Sequence, residues 1–308
     1  MARKRKGRAL DGVLLVDKPA GFSSNGLLQK VRWLYQAQKA GHTGALDPAA
    51  TGLLPICFGE ATKFTRYLLD SDKRYLTTGL LGIQTDTLDA EGEVVAESDV
   101  PNVTAEQLEQ LIQTQFSGDI EQVPPMYSAL KRDGQKLYEL ARQGEVIELE
   151  ARPVTIFENQ LLSLQTPEFT LSVHCSKGTY IRTLVADIGN ALGCGAHVKT
   201  LRRTQHGPFK LEQAVTLEEL VQMQEQSELA KMDALLISID ELLSHLPKVV
   251  LDAHQSRFFS HGNDVQFDQT ERGEVRVYDA ELSFLGVGEV SEQSRLKPVR
   301  LIARQAVE

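Results

Sequence analysis

Leu10-Asp11-Gly12-Val13-Leu14-Leu15-Val16-Asp17-Lys18-Pro19-Ala20-Gly21 opens the patterned part of the chain. Its apolar run reads as a buried strand over Leu10 to Val16, closed by a turn from Asp17 to Gly21. Ser23 or Ser24 caps the next segment, in which Leu27, Leu28, Val31 and Leu34 share one helical face. A glycine-punctuated loop over 39–53 leads to a strand from Leu53 to Phe58, a helix from Glu60 to Leu69 and a strand from Arg74 to Gly82. Thr104-Ala105-Glu106-Gln107 is a capping box for a helix to about Phe116. Residues 150–175 alternate like paired strands, Thr179 to Leu192 reads as a helix stopped by Gly193, and Val198 to Gln205 as a strand. Strands and helices do not alternate strictly. The expected fold is therefore α+β, with a mixed, mostly antiparallel central sheet and flanking helices. Residues 215–246 read as acidic amphipathic helices, and Pro247 marks a linker. The short strands beyond it, separated by Gly262, Gly273, Gly286 and Gly288, predict a small β-barrel. The organisation expected is a basic arm at 1–9, a body at 10–246 and a small domain at 248–308. The body carries an inserted segment at about 124–152, opened by Pro124-Pro125 and holding a short helix from Gly134 to Arg142.

The 308 residues are 42% hydrophobic and 24% charged, which argues against disorder and allows a core that needs no staples. No apolar run approaches the ~18 residues that span a bilayer. The basic start, Arg3 to Lys6, is followed by an apolar stretch cut off at Asp17, too short for an export signal. Three widely spaced cysteines (Cys57, Cys175, Cys194) argue against a disulfide framework or a zinc ribbon and suit a reduced, cytoplasmic setting. The net charge of -9 hides segregation: residues 1–75 carry +7, 124–144 carry +2 and 171–210 carry +5, leaving -23 elsewhere. Three basic islands in an acidic body can converge on one polyanion-binding face, though each can also be an ordinary solvated surface. Lys18, Lys131, Arg132, Arg202 and Arg203, within these islands, are the expected contacts to a nucleic-acid backbone.

There is no phosphate-binding G-x-x-x-x-G-K-[ST], no H-E-x-x-H and no G-x-S-x-G. Asp86, Asp89 and Glu91 lack the spacing of a calcium loop and read as a solvated acidic turn. No cofactor and no metal are expected. What stands out is Gly41-His42-Thr43-Gly44-Ala45-Leu46-Asp47-Pro48-Ala49-Ala50-Thr51-Gly52. Asp47 before Pro48 suits a turn opener, or a carboxylate nucleophile that is ionised at neutral pH without a base. Arg182, at the start of a helix in Ser176-Lys177-Gly178-Thr179-Tyr180-Ile181-Arg182, offers a rigid fork to hold such a carboxylate, or is a surface arginine. Tyr75 and Tyr180, both in basic surroundings, suit stacking on a base or a place at the core's edge.

Gly12 to Gly21 and Gly41 to Gly52 closely resemble the TruB family of tRNA pseudouridine synthases. Gly59-Glu-Ala-Thr-Lys63, Asp72-Lys-Arg-Tyr75, Gly82-Ile-Gln-Thr-Asp86-Thr87 and Pro125-Met-Tyr-Ser-Ala-Leu-Lys131 resemble the same family in the same order. So do Cys175 to Arg182 and Gly195-Ala-His-Val-Lys-Thr-Leu201-Arg-Arg203, and the likeness runs over about 10–210. The segment after Pro247 more loosely resembles the family's PUA-type RNA-binding domain. The resemblance implies a cofactor-free isomerase that converts uridine 55 in the T loop of tRNA to pseudouridine. It implies that Asp47 is the nucleophile, that Tyr75 stacks on the target base and that Arg182 pairs with Asp47. Tyr180 and Leu201 would line the uracil pocket, Lys63 would support it, and His42 would enter the T loop. The expected partner is the tRNA T stem-loop, bound by a monomer that flips the base and needs neither guide RNA nor membrane. The basic extensions that accompany the guide-dependent dyskerin-type relatives have no counterpart. The competing reading is a non-catalytic RNA chaperone that remodels the tRNA elbow, which would not need Asp47 and Arg182 to meet.

Overall fold

The apolar runs that mark the strands become, in a computed structural model, the centre of one large sheet. The structure describes residues 7–303 apart from 129, 133, 146, 268 and 269. The sheet contains β1 (Gly12–Lys18), β2 (Ala40–His42), β3 (Thr51–Phe58), β4 (Lys73–Leu81) and β5 (Gly118–Gln122). It continues with β6 (Arg152–Gln165), β7 (Glu168–Cys175), β8 (Ala196–His206), β9 (Phe209–Lys210) and β10 (Val215–Thr216). The spatial order is β10-β1-β3-β8-β4-β7-β6-β5, with β2 on β3 and β9 on β8. Only β10 against β1 and β8 against β3 are parallel, so the fold is mixed and mostly antiparallel α+β.

β1 and β3 are apolar at nearly every position because both faces of this end of the sheet are covered. Leu14, Val16, Leu54 and Ile56 pack under helix α1 (Ser24–Leu34), whose Leu27, Leu28, Val31 and Leu34 form the stripe seen in the sequence. Val13, Leu15, Leu53 and Cys57 face the opposite way, onto Phe64, Leu68 and Leu242. Helices α2 (Ala105–Gln115) and α3 (Ile181–Ala191) cover the other half of the sheet through Leu108, Ile112, Leu184 and Ile188. Helix α4 (Leu217–Glu225) starts from a capping box at Thr216 and packs Leu217 and Leu220 with α1's core face.

Several boundaries move, each for a local reason. The first strand runs on through Lys18, because the Asp17 and Lys18 backbones still pair with Leu53 and Gly52. The helix expected over Glu60 to Leu69 breaks into a 3-10 turn, Gly59–Lys63, and one α-turn, Arg66–Leu69. The helix expected from Gly134 shortens to Leu137–Ala141, since Lys131–Arg132 and Gln135–Lys136 pair as a small hairpin first. Residues 1–6 of the expected basic arm lie outside the described residues; Arg8 is no free arm, for it bridges Ala37 and ion-pairs with Asp233.

Beyond Pro247 lie β11 (Lys248–Val250), β12 (Val265–Gln266), β13 (Gly273–Tyr278), β14 (Phe284–Val290), β15 (Arg295–Leu301) and helix α5 (Ala253–Ser260). The strands form a curled, half-barrel sheet in the order β11-β13-β14-β15-β12, consistent with the small PUA-like barrel expected. Its Val287 is fully buried in the core that holds Val13 and Phe64. Arg276 binds Asp240 at 2.8 Å, and Arg66 binds Glu274 across the same seam.

Candidate active site

The loop between β2 and β3 is held from several sides before any substrate arrives. Leu46 is clamped to α1 by Ser24: its N–H donates to Ser24 Oγ at 2.7 Å, and Ser24 Oγ donates to its carbonyl at 2.9 Å. The Pro48 carbonyl accepts from Gly21 N–H at 2.9 Å and from Lys18 Nζ at 3.1 Å. Ala49 N–H donates to Glu91 Oε2 at 3.3 Å. Asp47, between these anchors, faces a cavity of about 300 Å³ lined by Tyr75, Tyr180, Arg182, Leu201, Lys73 and Arg203 among others. Asp47, Tyr75, Tyr180, Arg182 and Leu201 therefore converge, although up to 154 positions separate them in the chain.

Arg182 meets Asp47 with Nε to Oδ2 at 3.0 Å and Nη2 to Oδ1 at 3.4 Å, a two-pronged contact. Its other donors reach the carbonyls of Thr87 at 2.8 Å and Tyr127 at 2.7 Å, and Asp89 Oδ2 lies at 3.5 Å. The arginine is buried, whereas 40% of the Asp47 side chain stays open to the cavity. Burial lifts the Asp47 carboxyl above its ordinary range; Arg182 opposes that lift, while Asp89 and Glu91 add to it. The ring of Tyr75 is half-buried, and burial raises its phenol, against the pull of Arg203. Tyr180 caps α3, its N–H and carbonyl both held by the buried Gln122 amide at 2.7 and 3.0 Å.

Three of the expected site residues are placed differently. Lys18 is fully buried and spends its ammonium on the Pro19 and Pro48 carbonyls, so it is no backbone-contacting cation. Arg203 is 1% exposed and donates to the Leu53 carbonyl at 2.7 Å, which equally removes it from the RNA-facing surface. Lys63 stands away from Asp47, paired with Glu60 at 2.6 Å and with the Leu301 carbonyl at 3.1 Å; it lines a second cavity, of about 540 Å³, beside α5. Arg202 is partly exposed and binds Asp17 at 2.6 Å. Lys131 and Arg132 sit exposed on their hairpin. His42 is half-buried on β2 beside the loop, and burial with Arg203 nearby lowers its proton affinity.

Lys73 and Gln122 were missed, and Asp89 and Glu91 were set aside as a solvated turn. The turn from Asp86 to Glu91 is not simply solvated: Asp89 is buried, accepts from Thr87 Oγ1 at 2.6 Å and stands against Arg182. Its signal was present as a carboxylate cluster beside Thr87, but not its partner, 93 residues on. Lys73 carries no local sign of burial, yet its Nζ collects the Leu68, Leu69 and Ser71 carbonyls. Among the described residues no helix is long and apolar enough to cross a membrane.

Residues 32–181 match the family described as TruB family pseudouridylate synthase (N terminal domain). Residues 182–244 match tRNA pseudouridylate synthase B C-terminal domain, and 247–302 match Pseudouridine synthase II TruB, C-terminal. The chain is 57% identical over 300 residues to tRNA pseudouridine synthase B of Stutzerimonas stutzeri (strain A1501), covering 97% of this chain and 98% of that one. It is 55% identical to the protein of the same name from Pseudomonas aeruginosa (strain UCBPP-PA14), with the same coverage. Among solved structures, a chain of a Cbf5-Nop10-Gar1 complex is similar with a TM-score of 0.71 and 26% identity, over 96% of this chain and 85% of that one. A chain of an H/ACA RNP bound to a substrate RNA gives 0.74 at 23% identity, over 99% and 92%, a likeness of fold.

Proposed function

Because the chain belongs to the TruB family of pseudouridylate synthases, we propose that it converts uridine 55 of the tRNA T loop to pseudouridine, acting alone and without guide RNA. It is a tRNA pseudouridine synthase, an isomerase. The finer reading rests on one observation above all: a carboxylate gripped by a buried guanidinium, at the mouth of a cavity walled by two tyrosines and a leucine.

In the reaction the N1–C1′ bond breaks, a C5–C1′ bond forms, the C5 proton leaves and N1 gains one, so nothing is oxidised or reduced. Asp47, held ionised by Arg182, supplies the negative group next to the sugar. Base flipping costs a few kcal/mol, which backbone contacts and stacking on Tyr75 offset. Tyr180 and Leu201 line the cavity that receives the base, and His42, its proton affinity lowered by burial, is the residue assigned to enter the T loop where bases are displaced. Lys131, Arg132 and Arg202 are the cations assigned to the phosphates. The catalytic unit is assigned to 10–246, with 248–308 as its RNA-binding appendage, in a cytoplasmic monomer.

The test is nucleoside analysis of tRNA incubated with the purified protein alone. Pseudouridine should appear at position 55 only, and Asp47→Asn should abolish it while tRNA binding persists. Turnover by Asp47→Asn within about tenfold of the wild type would sink the nucleophile assignment.

A further inference from the structure

Arg203 carries a positive charge into the wall of the cavity without a carboxylate beside it: among the described residues no ion pair includes it. Its guanidinium is instead spread over backbone carbonyls of the loop that carries Asp47. Nε donates to Leu53 at 2.7 Å, Nη1 to Ala45 at 3.4 Å and Nη2 to Gly44 at 3.5 Å. On the other side the same guanidinium faces the Tyr75 phenol and draws its proton affinity down. The backbone agrees with the side chain, since Arg203 pairs with Tyr75 on β4 and with Gly52 on β3. Gly52 has φ +101°, and a Cβ there would collide with the Arg203 backbone, so the approach is one only glycine permits.

We propose that Arg203 is a positioning residue, the strut that fixes the Asp47 loop at a set distance from the strand bearing Tyr75 before substrate enters. The proposal rests on the uridine-isomerising reading above. Stability alone gives a poor reason for such a group, because a buried cation with no counter-charge costs more than an apolar side chain of equal size. Its neighbours also bear its cost: Arg203 helps to lower the proton affinity of His206, Lys73 and Lys18. What the guanidinium supplies, and a hydrocarbon does not, is several donors of fixed geometry aimed at one loop.

The test compares Arg203→Lys and Arg203→Met with the wild type, on the full chain. Lysine keeps the charge and loses the fork; methionine keeps much of the volume and loses both. For Arg203→Lys, kcat should fall about 100-fold, as expected when a reacting group is misplaced by around 1 Å, with KM and tRNA Kd within about threefold. Amide hydrogen exchange over residues 43–50 should quicken at least about tenfold, while β1 and β4 exchange as before. A kcat within about threefold of wild type, with loop exchange unchanged, would overturn the proposal even if the variant melted earlier. Should Arg203→Met fail to fold, Arg203→Lys decides alone through kcat and loop exchange. Absence of pseudouridine with the wild-type protein would instead remove the underlying reading, so the two failures are distinct.

Discussion

At Asp47 two opposing influences meet, burial that favours the protonated acid and Arg182 that favours the carboxylate. The nucleophile must be unprotonated, so kcat should fall as pH drops through its raised pKa, at a higher pH than for a free aspartate. Arg182→Gln removes the opposing charge, and its acid limb should therefore lie further towards neutral, with kcat at pH 7 reduced by about 100-fold. A pH–rate profile of both proteins checks the order of the limbs. Lys73 presents the reverse case, a cation whose pKa drops from 10.5 to about 8 on burial. Between those values the unfolded chain binds more protons than the folded one. Stability contributed by Lys73 should thus rise with pH from about 8 to about 10.5, by up to ~1.4 kcal/mol per pH unit, and be flat below. Urea titrations of the wild type and Lys73→Met across that window should differ in this slope. The surroundings of Asp47 and Arg182, a glycine-rich loop poor in other polar groups and a helix start, made them candidates with ordinary alternatives still open, and only the family resemblance implied that they pair. Lys18 and Arg203 were misread for a physical reason: a buried cation and a surface cation have the same local sequence when an acceptor is a distant carbonyl, as Pro48 is for Lys18 and Leu53 for Arg203.

Among the elements, most strands and the helix stripes were readable because their apolar periodicity reports the face they bury, as Leu27, Leu28, Val31 and Leu34 do on α1. Pairing order was not. Nothing local says that β8 enters between β3 and β4, an arrangement settled by Gly52 and by the long register of β8 on β4. Two substitutions separate support of the site from support of the fold. Gly52→Ala forces a side chain onto φ +101° and against Arg203, so it should cost at least ~1 kcal/mol and lower kcat as the loop shifts. Thr104→Ala removes the capping box of α2, no residue of which lines the cavity, and should cost ~1 kcal/mol with kcat unchanged. Chemical denaturation and steady-state kinetics on both variants give the comparison.

For the whole molecule, the charge islands of the sequence divide once the structure is known. Lys131 and Arg132 are exposed, Lys18 and Arg203 are not. Log Kd against log salt for tRNA should lose about 0.7 to 0.9 in slope for each phosphate contact removed by Lys131→Gln or Arg132→Gln. The slope should be unaltered by Arg203→Lys. The C-terminal sheet was legible as a separate glycine-spaced unit, but its share in the main core was not, since Val287 shows its burial against Val13 only in three dimensions. Removal of 248–308 should therefore do more than weaken tRNA binding. With ~2 kcal/mol withdrawn per buried apolar side chain, the shortened protein should melt at least ~5 °C lower, as calorimetry would show.

The seat of β8 between β3 and β4 also orders events in time. Residues 51–58 and 73–81 leave the ribosome well before 196–206, so both strands must wait with unpaired edges while some 115 further residues are made. Closure of that gap is a long-range step, slow by its sequence separation and exposed to wrong pairing until it happens. Nascent chains that end before Ala196 hold Asp47 and Tyr75 but neither Leu201 nor the strand that joins them. The isomerase comes into being late in its own synthesis, when one strand slides home.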